Sequence, residues 1–503
     1  MINLGEQTLS LADLDTISRG TADLEIAPSC RAKTDESREM VVRAIEQGEI
    51  VYGVTTGFGA LSNHRIDTST ARQLQVNLLR SHASGTGDPL PAPTVRVMLV
   101  LRANALAYGY SGVRPVVIER LMDLYRNDIL PVVPCQGSVG ASGDLAPLAH
   151  LALPLIGEGT VEFKGQRMDA ADALKQADIV PLELEPKEAL ALINGTQVIA
   201  SVLGLALVEG WNLLHAALQA GAMTVAAMNG RKDSFDALIQ NVRPHPGQRA
   251  TARYLRTLLD GWEGDPAAER PVQDRYSLRA MPQVLGAVMD TLGFATGVLE
   301  TEINSVTDNP LFFDTEQRIL SGANFHGHPV ALAADHMKTA MASLTTFSER
   351  RIASLVDPRA SDLPAFLAAE PGVNSGLMIA HYVAASIVAE NRTLAHPASV
   401  DSLSTSADVE DYNSMGTLAA RNLKTVVTNA SRVVAIELIC AAQAIDLRDF
   451  DPGPITALNA YRAVRERVPF QEQDMFGMSG WIEEIATLVR DGAFRRDDFD
   501  LTT

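Results

Sequence analysis

Apolar residues recur along this chain at intervals of three and four far more often than at intervals of two. Between Pro115 and Pro131, Val117, Leu121, Leu124 and Tyr125 share one face, while Glu119, Arg120, Asp123 and Arg126 turn away. Similar spacing predicts long helices over 191–228, 282–305, 328–353, 376–395 and 415–445, rich in Ala, Leu and Met. Several are apolar nearly all round, which suits the centre of a large bundle or a face buried by oligomerisation. Strand-like material is sparse: Val51 to Val54, Thr160 to Lys164, and Leu311 to Phe313 with Arg318 to Leu320. The predicted fold class is mainly α, a long central helical bundle joined to an N-terminal mixed α/β domain.

The stretch from Ala177 to Lys187, with Pro181 and Pro186, reads as a linker. It divides an N-terminal domain over 1–190 from a helical body over 191–470, and a more polar, peripheral segment covers 471–503. A polar segment from Gly261 to Asp274 interrupts the body and runs into Gln273-Asp-Arg-Tyr276-Ser-Leu-Arg279, a loop that delivers polar groups. The longest apolar run, Val198 to Ala227, is broken by Glu209, Asn212, His215 and Gln219, so it reads as a buried helix and not a membrane span.

Composition narrows the function. A chain of 503 residues is too long for one simple core. Its net charge of −19 argues against nucleic acid and anionic membrane partners, and its plainest meaning is solubility. Cys30, Cys135 and Cys440 are too few and scattered for a disulfide framework, which points to a reduced, cytoplasmic setting. Met-Ile-Asn-Leu-Gly-Glu lacks a basic region followed by an apolar run, so no signal peptide is expected.

The chemically richest stretch is Gly137-Ser-Val-Gly-Ala141-Ser142-Gly143-Asp144-Leu-Ala-Pro147-Leu. Ala-Ser-Gly offers little steric hindrance, and such a backbone can bend sharply. If the Gly143 nitrogen attacks the Ala141 carbonyl carbon and water is lost, a five-membered ring closes. Loss of the Ser142 hydroxyl then leaves an exocyclic methylidene, a strong electrophile. The plainer alternative is a surface loop with Asp144 as N-cap and Pro147 in the first helical turn. A phosphate cradle fits poorly, because no Gly-Lys-Ser/Thr follows and the glycines are spaced GxxGxxG. A nucleophile elbow would require GxSxG.

Other clusters set polar groups in apolar context. Tyr52-Gly-Val-Thr-Thr-Gly57-Phe-Gly59 carries a phenol that is either a packed aromatic or a general base, the latter if positive potential lowers its pKa. Ser81-His82-Ala-Ser-Gly85 places a histidine on a small-residue turn, where a hydrogen-bonded structural role is the plainer reading of the residue alone. Asn194-Gly-Thr-Gln197 opens the most apolar helix, and buried amides there need partners. Glu410-Asp-Tyr-Asn-Ser-Met-Gly416 leads from an acidic, serine-rich loop into a helix. His326 and His328 lack companion ligands at metal spacing, and neither Lys232 nor Lys338 has a pyridoxal context, so no metal or pyridoxal phosphate is expected.

Together these clusters resemble the aromatic amino acid ammonia-lyase family, which includes histidine, phenylalanine and tyrosine ammonia-lyases and related aminomutases. The resemblance spans nearly the whole chain. It rests on YGVTTGFG (52–59), SHASGTG (81–87), GSVGASGDLAPLAH (137–150), LINGTQ (192–197), QDRYSLR (273–279), EINSVTDNP (302–310) and GANFHG (322–327), in that order. It implies that Ala141, Ser142 and Gly143 cyclise to 4-methylidene-imidazol-5-one (MIO), a ring that engages the substrate amine. It implies that Tyr52 is the base, that Arg279 holds the substrate carboxylate, and that Asn194, Gln273 and Tyr276 contact the electrophile or substrate. Phe325 would shape the pocket, and helix N-termini aimed at the site would lower the tyrosine pKa. A homotetramer with shared active sites is implied as well.

Two positions bear on the substrate. His82 and Glu410 look like the histidine-lyase versions of their motifs, as does Gln197. A buried carboxylate suits an imidazole and poorly suits a phenyl ring. Tyr412, Arg275, Gly327 and His328 depart from that pattern, the last two toward tyrosine-specific relatives. The resemblance therefore favours L-histidine converted to urocanate and ammonia, with a tyrosine lyase or aminomutase as the alternative. A helical scaffold that never cyclises its Ala-Ser-Gly is a further alternative.

Overall fold

The structure is a computed structural model that describes residues 1–61, 63–66, 70–266, 270–448, 453 and 455–496. It is mainly helical and forms two compact units. The first comprises Met1–Leu205, Thr296–Ala334 and Pro397–Arg421, the second Ala206–Ala295, Asp335–His396 and Asn422–Thr503. The chain passes from one to the other five times, four times within a helix (Gln197–Ala227, Met281–Ile303, His328–Val356 and Gly416–Leu447) and once at His396–Pro397, between helices.

Every strand among the described residues belongs to the first unit. Ile2–Leu4 pairs in parallel with Leu24–Ile26, and Thr86–Pro89 pairs antiparallel with Pro134–Gln136. Leu130–Pro131, Thr160–Phe163 and Gln166–Asp169 make a three-stranded sheet, and Leu311–Phe313 forms a hairpin with Arg318–Leu320. Val51–Val54, predicted as a strand, is a turn. The Val54 and Thr55 N–H groups return to the Val51 carbonyl at 3.1 and 3.0 Å, and Gly53 has φ +67°. The Thr55 and Thr56 hydroxyls accept from the N–H groups of Val51 and Gly53, so local side-chain bonding overrides the β-branched composition.

The predicted helices form with small shifts of their ends. Pro115–Arg126 starts on a proline at its first position and buries Val117, Ile118, Leu121, Met122, Leu124 and Tyr125. The 191–228 prediction resolves into Glu188–Ile193 and Gln197–Ala227, parted at Asn194-Gly-Thr. Ala92–Ala107 is almost wholly buried, and its polar residues join chain segments of the first unit. Arg102 donates to the Gln197 side chain and the Thr307 carbonyl at 2.9 and 3.0 Å, while Asn104 accepts from Gly5 N–H and donates to Ile303 O. The 177–187 stretch lies inside this unit. It is fastened by Arg38 to Pro186 O and by a buried Lys187–Asp308 ion pair at 2.7 Å.

In the second unit, buried Glu437 accepts from Arg351 Nε and Nη2 and from the hydroxyls of Thr224 and Ser348. In the polar 261–274 segment, Trp262 is buried with its indole N–H on Gly230 O; residues 267–269 lie outside the described residues. Beyond residue 470, Met478–Arg490 buries Ile482, Ile485, Ala486 and Val489, and 497–503 lie outside the described residues. Among the described residues three helices are long and apolar enough to span a membrane by length and composition. The most apolar windows of two of them are 89 and 83 % buried within the protein, as the 198–227 reading expected.

Candidate active site

The glycine-rich loop at 137–144 is where several helices of the first unit begin. Leu145–Ala152 follows it directly. The N-terminus of Gln197–Ala227 meets it through Asp144, whose amide donates to Gly195 O at 2.8 Å and whose carboxylate accepts from Val198 and Ile199 N–H at 3.0 and 2.9 Å. The start of Gly416–Leu447 is fastened to it as well. Ser414 Oγ donates to Gly140 O at 3.0 Å, Met415 N–H to Val139 O at 2.9 Å, and Thr417 Oγ1 to Asp144 at 2.7 Å. Positive helix ends therefore converge on the loop, as the family resemblance implies.

Asp144 answers that field. It sits at the start of Leu145–Ala152 but makes no side-chain cap there; its carboxylate caps the helix beginning at Gln197 instead. The Ser138 hydroxyl completes its shell at 2.9 Å. Burial pushes its pKa up to about 6 against the four hydrogen bonds that favour the charge. Gly143 has φ +71°, and a Cβ there would lie 2.3 Å from Gly195 O, so only glycine fits.

Ala141 and Ser142 open onto a cavity of about 930 Å³ lined also by Tyr52, His82, Asn194, Asn309, Phe325, His326, Glu410 and Tyr412. Tyr52 reaches it from the turn described above, its hydroxyl accepting from Gly59 N–H at 3.0 Å. Burial raises the phenol, with the Glu410 charge adding to the rise and the Gly59 contact opposing it. This corrects the expectation of a lowered tyrosine pKa, because in this chain desolvation outweighs the Gly59 hydrogen bond.

His82 ends the Ala71–His82 helix, its Nδ1 3.0 Å from Ser81 Oγ. The turn after it is fixed by Gly85 N–H, which donates to His150 Nε2 at 3.1 Å, and His150 lies on the helix that starts after the triplet. Burial pushes the His82 pKa down, which favours neutral imidazole. Asn194 is almost fully buried; its amide donates to Asn309 O at 3.2 Å, and its side-chain oxygen has no hydrogen-bond partner. Glu410 accepts from Ser142 Oγ at 2.8 Å with one oxygen and from Thr405 Oγ1 at 2.8 Å with the other.

Residues 9–466 match the model of the family described as aromatic amino acid lyase. The chain belongs to that family. It is 48 % identical over 499 residues to a histidine ammonia-lyase of Geobacillus thermodenitrificans, covering 98 % of each chain. It is likewise 48 % identical over 474 residues to one from Deinococcus radiodurans, covering 94 % of this chain and 90 % of that protein. Among solved structures, it superposes on a tyrosine aminomutase from Streptomyces globisporus with a TM-score of 0.93 at 37 % identity, covering 98 % of each chain. It matches histidine ammonia-lyase from Trypanosoma cruzi at 0.90 and 38 %, covering 98 and 93 %.

In this aromatic amino acid lyase the cavity gathers Tyr52, His82, Ala141, Ser142, Asn194, Phe325 and Glu410, with Gly143 in the adjoining turn. Gln273, Tyr276 and Arg279 do not line it; they belong to the second unit. Tyr276 is 72 % exposed, the Arg279 guanidinium lies 4.7 Å from its ring centroid, and both border a smaller cavity of about 330 Å³. Gln197 faces inward to Arg102 and Thr307, which makes it a brace.

Sequence reading passed over Asn309, Thr405 and Asn413. Asn309 sits within the EINSVTDNP motif, so its signal was present without a role attached. Asn413 donates to Thr405 Oγ1 and Leu403 O and steadies the loop that carries Glu410. His326 stacks on Tyr412 with His328 beside them, an aromatic cluster at the cavity wall. Among the described residues no three His, Cys, Asp or Glu side chains are grouped to hold a metal.

Proposed function

We propose that this chain is a histidine ammonia-lyase, converting L-histidine to trans-urocanate and ammonia. The observation that carries the substrate is Glu410. A carboxylate anchored on Thr405 faces the same cavity as His82 and Ser142, and it offers an anionic acceptor to an imidazole N–H. The full-length histidine ammonia-lyase relatives support the same reading.

The triplet suits conversion to 4-methylidene-imidazol-5-one. Gly143 is held in a left-handed conformation against Gly195, Ala141 is buried, and the Asn194 oxygen points to no partner of its own. Ala141, Ser142 and Gly143 would form the ring, with Asn194 and the converging helix N-termini around it. The chemistry such a ring supplies is electrophilic activation of the substrate α-amine as a leaving group. The protein's own groups do the rest. Tyr52, as phenolate, takes the β-proton, and Gly59 N–H fixes its oxygen. Neutral His82 and Glu410 orient the imidazole, and Phe325 restricts the space and water beside it. We further propose that the chain works as a homotetramer in which another subunit brings Gln273, Tyr276 and Arg279 to each cavity, Arg279 for the carboxylate.

Product identification with histidine, tyrosine and phenylalanine tests this reading. Urocanate from histidine alone is the expected result. p-Coumarate, or a β-amino acid without a new chromophore, would move the assignment to the tyrosine branch. A chain whose intact mass equals that of its sequence would leave only the scaffold.

A further inference from the structure

The Ser142 hydroxyl donates its hydrogen bond to Glu410 Oε1 at 2.8 Å, across 268 residues of sequence. This contact can exist only before maturation, because the proposed ring has lost that hydroxyl. Whatever the contact does, it does to the precursor. Glu410 is well prepared for such a task. Its second oxygen is occupied by Thr405 Oγ1, and its backbone pairs with Thr405 in both directions, N–H to O at 3.0 and 3.3 Å. Thr405 is in turn held by the Asn413 amide. One carboxylate oxygen is thus left aimed at the serine oxygen that must depart.

We infer that Glu410 acts first in making the electrophile, as the acid that carries away the Ser142 hydroxyl, and only afterwards in substrate recognition. The inference rests on the Ala-Ser-Gly cyclisation proposed above. In ring closure, the Gly143 nitrogen bonds to the Ala141 carbonyl carbon. The carbonyl oxygen leaves as water with the amide protons of Gly143 and Ser142, and the bond from Ala141 carbon to Ser142 nitrogen becomes double. In dehydration, the electron pair of the Ser142 Cα–H bond becomes the Cα–Cβ π bond. The Cα proton passes through a water molecule to the Glu410 carboxylate, the Cβ–Oγ bond breaks with its pair on oxygen, and that oxygen takes the proton from the newly formed Glu410 carboxyl to leave as water. Glu410 ends as the carboxylate it began as, with Oε1 released for a substrate donor.

Intact mass separates this role from activity. Wild type, Glu410→Gln, Glu410→Ala and Glu410→Asp are expressed in parallel and weighed at matched times after synthesis, with circular dichroism melts to confirm folding. Wild type is expected to weigh two waters less than its sequence. Glu410→Gln and Glu410→Ala should fold and close the ring but stall one water short, with the fully dehydrated fraction at least about tenfold lower at early times. Glu410→Asp, which keeps a carboxyl, should recover part of it. Full dehydration of folded Glu410→Gln and Glu410→Ala at the wild-type pace overturns the inference and leaves the ring itself standing. Wild type at its unmodified sequence mass overturns the ring, and the inference with it.

Discussion

At Tyr52 the surroundings oppose ionisation: burial and the Glu410 charge raise the phenol, while Gly59 N–H acts the other way. The phenolate is therefore populated toward alkaline pH, and kcat/KM for histidine should climb with pH across the neutral range. Tyr52→Phe should lower kcat by about 10²–10⁴-fold with the fold intact, a loss expected of a missing proton acceptor. Steady-state kinetics from pH 6 to 10 check both, and a flat profile would assign the proton to another group. Asp144 gives a second residue-scale prediction. Folding raises its pKa from 3.8 to about 6, so the native carboxyl binds its proton more tightly than the unfolded one. Its contribution makes stability fall by about 3 kcal/mol as pH rises from about 4 to about 6, and level off above. Asp144→Asn should remove that slope in urea melts, since the amide oxygen still accepts from Val198 and Ile199. Asp144→Ala should destabilise by about 1–3 kcal/mol for each buried donor it strands.

Among the helices, periodicity made most of the architecture legible. Pro115–Arg126, Met281–Ile303 and Met378–Leu394 fall within a few residues of their apolar patterns, because a buried face repeats every 3.6 residues, and Pro115 and Pro282 stand at the start of the first two. Two kinds of feature escaped. Asn194-Gly-Thr breaks an otherwise continuous apolar run, since the break is set by what packs there and not by a local proline. Val51–Val54 turns back on itself through two threonine hydroxyls that strand propensity does not register. Tyr52, His82, Ala141, Ser142, Asn194, Phe325 and Glu410, singled out by motif, share one cavity, whereas Gln273, Tyr276 and Arg279 lie outside it, and nothing local tells that Asp144 caps a helix beginning 53 residues later. Nor does sequence reveal the Glu437 knot of the second unit, where Ser348 and Arg351 come from one helix, Thr224 from a second and Glu437 from a third. Arg351→Leu strands that carboxylate in the interior and should lower stability by about 3–5 kcal/mol in a denaturant titration. Replacing Arg351 and Glu437 together by apolar residues should recover much of that loss.

At the scale of the whole molecule, apolar surface on the second unit needs a cover. Phe294 is 51 % exposed beside His336, and Ile379, Tyr382 and Val383 are exposed on Met378–Leu394. These faces, together with the distance in sequence of Gln273, Tyr276 and Arg279 from the cavity-lining motifs, argue for assembly of several copies. Phe294→Glu should shift the protein toward smaller species in sedimentation velocity and lower kcat/KM in step. A fully assembled, fully active variant would place the intersubunit contact elsewhere.

The glycine loop is braced by Ser414 and Thr417, and its serine is held by Glu410, so the parts that enclose the triplet are translated more than 260 residues apart. On a ribosome, a chain halted before residue 410 holds the triplet but none of these partners. Reactive alkene should therefore be missing from nascent and truncated chains and arise only in those that have finished folding. If the triplet cyclises as proposed, the cell is thereby spared a thiol-trapping group on its unfinished products, and two missing waters would record that a given copy has reached its native state.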